Sequence, residues 1–215
     1  MFSGFYDVSK RPVLIGAAGS QPKFKDPDAP VNPDQCLFEF TTLLEIYKKL
    51  SPKVVVEIGS CFGGSLYQWM KHAKPGTKVV SIDLPGAAYG HPQAAQYVGQ
   101  WPKWAPPGIE FHSIQANSAD PATRQRLLQI TDHADFLFID GNHTYAGART
   151  DFLMYGPLVR PGGIIALHDI TPNIREPLCE VHRLWQEIRE AGYACQDLYV
   201  SPNQGGYGIG VIYIQ

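Results

Sequence analysis

Val54–Ser65 reads VVVEIGSCFGGS. A run of β-branched residues favours a strand, and three glycines then break the chain just where a helix would have to begin. Glu57 stands inside the apolar run, where an unpaired carboxylate is costly. Such an acid has work to do beside the turn that follows it.

Outward from this stretch the pattern alternates. Strands are expected at KVVVEIG, KVVSIDL, IEFHSI, ADFLFIDG and IIALHDI, and helices at GSLYQWMKHA, PATRQRLLQI, TYAGARTDFLMYGPLV and IREPLCEVHRLWQEIREAG. Apolar strands separated by helices indicate a parallel sheet covered on both faces. YACQDLYV and GYGIGVIYIQ close the chain as two more strands. The fold expected is α/β, Rossmann-like and doubly wound: a mostly parallel seven-stranded sheet with a C-terminal antiparallel hairpin. Residues 1–33, rich in Pro, Gly, Lys and Asp, read as an irregular arm, and 34–215 as one domain opening on a helix with apolar spacing from Leu37 to Leu50. The segment between Leu84 and Gly108 has no clear period. It carries Trp101 and Trp104, which either form a lid or acceptor platform or bury themselves, and His91, which is placed to touch substrate.

Composition narrows the function classes. The chain has 215 residues, 44% of them hydrophobic and 18% charged, a balance suited to a soluble globular domain. Lysine and arginine number 18 against 20 acids. No basic run would track a phosphate backbone, so nucleic acid is not an expected partner. The four cysteines form no CxxC pair and no apolar stretch is long enough to span a bilayer, which points to a cytoplasmic protein without a membrane partner.

In open α/β sheets, ligands bind beyond the carboxyl ends of the strands, where a glycine-rich turn lets a cofactor approach the backbone. Asp83 ends the second strand, where an acid accepts hydrogen bonds from ribose hydroxyls. A nucleoside-containing cofactor follows. GSCFGG is not the dinucleotide fingerprint GxGxxG, because Cys61 stands at its second glycine.

Here the sequence resembles the class I S-adenosylmethionine-dependent methyltransferases, whose first motif is an acid followed by a glycine-rich turn, as in EIGSCFGGS. The segment ADFLFIDGNHTYAGARTDFLMYGPLVRPGGIIALHDI is similar to the cephalosporin-hydroxylase-like branch, which includes macrolide-sugar O-methyltransferases, and more distantly to the catechol and caffeoyl-CoA O-methyltransferases. The resemblance implies that Glu57 and the turn (Gly59, Ser60, Gly63, Gly64, Ser65) hold the methionine part of S-adenosyl-L-methionine and that Asp83 holds the ribose. Asn117 and Ser118 match the place where the family's adenine is bound.

Asp140 and Asp169 close strands that such a topology makes neighbours. Two carboxylates so placed repel unless something positive lies between them. Hard oxygen donors on an open cleft suit a divalent cation, Mg2+ or Mn2+. Metal-dependent relatives use an acid at the position of Asp140 and an acid–acid or acid–amide pair at 168–169. His168 departs from that pattern, and a nitrogen donor is more at home on manganese, iron or zinc. His143 is the candidate to take the acceptor proton, with Asp140 and His168 completing the catalytic set. The reading is O-methylation of a small-molecule hydroxyl. Its alternatives are an NAD-type oxidoreductase and a non-catalytic S-adenosylmethionine-binding module. A homo-oligomer stays open.

Overall fold

The structure, a computed structural model, describes residues 21–85 and 92–215. His91 and residues 1–20 lie outside the described residues. Among the described residues the chain runs through α1 (Leu37–Leu50), β1 (Val54–Ile58), α2 (Gly64–His72), β2 (Lys78–Asp83), the short α3 (Ala95–Val98) and α4 (Trp101–Trp104), β3 (Glu110–Gln115), α5 (Pro121–Leu128), β4 (Ala134–Ile139), α6 (Tyr145–Tyr155), β5 (Val159–His168), α7 (Val181–Glu190), β6 (Ala194–Leu198) and β7 (Ile209–Tyr213), with 3-10 turns at Pro92–Ala94, before α3, and at Gly156–Leu158, leading into β5.

The sheet order is β3-β2-β1-β4-β5-β7-β6. β1 to β5 are parallel, and β7 runs antiparallel between β5 and β6. From β1 the chain crosses one way to β2 and the other way to β4, which opens a crevice beyond the carboxyl ends of β1 and β4.

Alternate residues of each strand face opposite helical layers. Val56, Ile58, Val80, Ile82, Leu137, Ile165 and Leu167 pack with Leu127, Tyr155, Leu184, Trp185 and Ile188 from α5, α6 and α7. Val55, Val79, Phe136, Phe138, Ile164 and Val211 pack with Phe40, Leu43, Tyr47, Leu66, Trp69 and Met70 from α1 and α2. Glu57 shares the parity of Val55, so its carboxylate enters the second layer beside Trp69.

Two stretches differ from the sequence reading, and at Trp101 the structure selects one of its two alternatives. Residues 171–180 precede α7 without joining it. Pro177 has no N–H to give a helix, and the Asn173 carboxamide oxygen accepts from the backbone N–H of Arg175 and Glu176, a local turn that competes with one. Trp101 is fully buried, donates from Nε1 to the Phe62 carbonyl at 3.3 Å, and is no exposed platform. Residues 21–36 carry no helix yet pack closely: Asp26 is 2.7 Å from both Gln68 Nε2 and Lys71 Nζ on α2, and Lys23 bridges to Cys36.

Candidate active site

β1 ends in a turn shaped by its contacts. Gly59 has φ +87°, and a Cβ there would come within 2.1 Å of the Asp140 carbonyl oxygen, so the β1 and β4 turns touch. Gly63 also has φ +87°, and its missing side chain leaves room for Trp101 and Trp104. At Gly64 the space is taken by Asn32 and Pro33 of the N-terminal segment. Protein packing, not only cofactor approach, explains the last two glycines.

Glu57 lies beneath this turn and is fully buried. Its carboxylate accepts from Ser60 Oγ (2.6 Å) and Trp69 Nε1 (2.8 Å). Burial pushes its pKa up to about 7 against the lowering effect of hydrogen bonds from Ser60, Ser65 and Trp69. The acid thus pins the turn from below.

Asp83 links the neighbouring strand to the same turn. Its two oxygens accept from the backbone N–H groups of Cys61 and Leu84, each at 2.7 Å. A carboxylate has about four acceptor positions, so further hydrogen-bonding capacity remains, and Asp83 is only partly buried. Burial raises its pKa. Asn117 and Ser118 serve the turn after β3: the Asn117 side chain accepts from Ala119 N, and the Ser118 carbonyl accepts from Tyr155 Oη.

The carboxyl ends of β4 and β5 bring four titratable groups together. His143 Nε2 lies 3.1 Å from Asp140 Oδ1, and its Nδ1 lies 3.1 Å from Asp169 Oδ2. His168 Nδ1 is 3.1 Å from Asp140 and 3.3 Å from Asp169. Those two approaches are close enough for ion pairing but not aligned for hydrogen bonds, since both ring nitrogens of His168 are buried without a hydrogen-bond partner. Asp169 adopts the left-handed conformation at φ +61°, which an Asp tolerates better than most residues, and its Oδ1 accepts from Tyr207 N.

The electrostatics follow from this packing. Burial alone would lower both histidine pKa values. At His143 hydrogen bonds to Asp140 and Asp169, and at His168 the charge of the same two carboxylates, overcome it and raise both. The same pairing outweighs burial at the carboxylates and holds Asp140 below, and Asp169 well below, the usual range. Without another cation, protonated imidazoles separate the two negative charges.

Asp140, His168 and Asp169 present donor atoms within 4.8 Å of one another. Three donors this close together, with His168 lacking any aligned hydrogen bond, fit a divalent cation. A further buried group faces them: Gln35 donates from Nε2 to Asp140 Oδ2 at 3.0 Å while its Oε1 has no partner. Sequence reasoning missed Gln35, which precedes α1 and carries no distinguishing pattern. It also missed Glu39, buried behind the site, where it accepts from Gln204 Nε2 and Gly208 N. Glu39 had a sequence sign: it lies four residues before Leu43, on the apolar face of α1.

A family model described as a methyltransferase domain matches residues 56–170, from β1 to just past Asp169. The chain belongs to this methyltransferase family. The methyltransferase is 24% identical over 186 residues to the uncharacterized protein y4gI of Sinorhizobium fredii, a match covering 81% of this chain and 19% of that protein. It therefore spans about a fifth of that relative's length. Among solved structures it is similar to the O-methyltransferase from Bacillus cereus in complex with SAH (TM-score 0.59, 18% identity, 87% of this chain and 84% of that one). It also resembles the O-methyltransferase TomG from Streptomyces achromogenes, involved in tomaymycin synthesis and solved with SAM (TM-score 0.56, 14% identity, 85% and 83% covered). At these identities the likeness is one of fold. Among the described residues no helix is long and apolar enough to cross a membrane.

Proposed function

We propose that the protein transfers a methyl group from S-adenosylmethionine to a hydroxyl of a small-molecule acceptor, with a divalent cation at Asp140, His168 and Asp169. The observation that carries this reading is the meeting, at one crevice, of the Gly59–Gly63 turn with Asp83 on one side and the Asp140–His143–His168–Asp169 cluster on the other. The family membership and the SAH and SAM complexes of the two structural relatives support it.

Roles follow from position. Asp83 has acceptor capacity left for ribose hydroxyls, and the turn pinned by Glu57 and Ser60 shapes the floor of the cofactor site. Transfer turns a sulfonium into a thioether and a hydroxyl into an ether, leaving one proton, and His143 is the group placed to take it. Between two uncompensated carboxylates its ring is held protonated, so it becomes a base only once Asp140 and Asp169 are neutralised. A divalent cation supplies that neutralisation and also acidifies a coordinated hydroxyl. Well-oriented reactants react at effective molarities of about 10⁵ to 10⁸ M, so alignment supplies much of the rate.

Calorimetry tests the cofactor: S-adenosylhomocysteine binds and NAD does not. The reverse preference turns the reading to a dinucleotide oxidoreductase. Incubation of the protein with S-adenosylmethionine and cell extract should form S-adenosylhomocysteine above a His143→Ala control, and a chelator should suppress it. Formation unaffected by exhaustive chelation removes the metal from the proposal.

A further inference from the structure

Cys179 sits in the irregular segment that links β5 to α7, 3% exposed. Two backbone hydrogen bonds deliver it to the active site. Its own N–H donates to the Glu176 carbonyl, and the N–H of the next residue, Glu180, donates to the carbonyl of His143, both at 2.8 Å. The thiol thereby comes within 4.8 Å of a His143 ring nitrogen. His143, Asp169 and Cys179 each offer one donor atom, all within 4.8 Å of one another.

This set differs in kind from the Asp140, His168 and Asp169 donors, because it contains sulfur. Thiolate and imidazole together favour zinc and similar soft or borderline ions, whereas magnesium takes oxygen donors. A tetrahedral ion with bonds of about 2.0 to 2.3 Å needs donors roughly 3.3 to 3.8 Å apart. His143 Nδ1 and Asp169 Oδ2, at 3.1 Å, are already close to that spacing.

We propose that His143, Asp169 and Cys179 form a second cation site, selective for a thiophilic ion such as Zn2+. Coordination releases the thiol proton to solvent and places the ion on the ring nitrogen that faces Asp169. Resting on the reading of His143 as the base, it follows that zinc at this site silences methyl transfer that magnesium or manganese supports.

Cd2+ is the probe, because a thiolate bound to it absorbs in the near ultraviolet. Titrating the metal-free full chain should raise that absorption to saturation near one equivalent, and excess Mg2+ should not displace it. The absorption should vanish in Cys179→Ser and persist in Cys36→Ser, Cys61→Ser and Cys195→Ser. Cys179→Ala serves as a second variant should serine not fold, and His143→Ala should weaken Cd2+ binding by tenfold or more. The Zn2+ concentration that halves S-adenosylhomocysteine formation should rise at least tenfold in Cys179→Ser. Absence of the band in the wild type, or its survival without Cys179, overturns the site. If the band behaves as stated while S-adenosylhomocysteine neither binds nor forms, the cation site stands and the methyltransferase reading falls.

Discussion

Glu57 is an acid whose value to the fold changes with pH. Its folded pKa of about 7 lies above the ordinary value of about 4.3, so between these pH values the unfolded chain ionises and the folded chain does not. Stability is therefore lost as pH rises through that window, by about 4 kcal/mol at 1.36 kcal/mol per unit. Glu57→Gln keeps an acceptor for Trp69 and a partner for Ser60 without the charge. Its melting temperature should exceed that of the wild type at pH 8 by several degrees, with the gap closing near pH 5, as differential scanning fluorimetry would show. Asp83→Ala addresses the cofactor side. Losing a hydrogen bond to a charged group costs about 1.5 to 3 kcal/mol, roughly tenfold to a hundredfold in affinity, so S-adenosylhomocysteine should bind that much more weakly by calorimetry while the strand core stays folded. An unchanged dissociation constant takes Asp83 out of the site. Both acids were visible in the sequence because each interrupts or ends an apolar run. Gln35 and Cys179 were not, since Gln35 lies in a segment without periodicity, Cys179 lies where the composition reads as helix, and both gain their place only when the chain folds back on β4 and β5.

The turn between β1 and α2 shows how one element borrows its shape from another. Trp101, from the irregular segment before β3, fills the space that Gly63 leaves empty. Trp101→Ala removes a buried indole, a change of about 3 to 5 kcal/mol, and should lower the melting temperature on the order of 10 °C. It should also weaken S-adenosylhomocysteine binding, although Trp101 is buried beneath the turn. A variant that melts early but binds with wild-type affinity would separate the turn's shape from its support. Strands and long helices were legible because apolar periodicity is local. The non-helical 171–180 segment was not, because Asn173 and Pro177 act there against an otherwise helical composition.

Across the whole molecule, the site is closed by residues far apart in sequence. Glu39 on α1 accepts from Gln204 and Gly208 in the segment before β7, with 165 and 169 positions between the partners. Glu39→Ala leaves two buried donors unsatisfied, each costing about 1 to 3 kcal/mol. At about 2 to 4 °C per kcal/mol for a domain of this size, the melting temperature should fall by roughly 4 to 24 °C in a single calorimetric transition, whereas two transitions would mean that the β6–β7 region melts on its own. The sheet order adds a constraint on how the molecule assembles. β6 leaves α7 first, but among the described residues it pairs only with β7, and β7 alone covers the edge of β5 that faces away from β4. Until β7 docks, β5 presents Ile164, Ile165, Ala166 and Leu167 on an open edge of the kind that recruits other strands. The strand that ends at His168 and Asp169 is thus open to mispairing until β7 docks, and the crevice at its carboxyl end is finished only then.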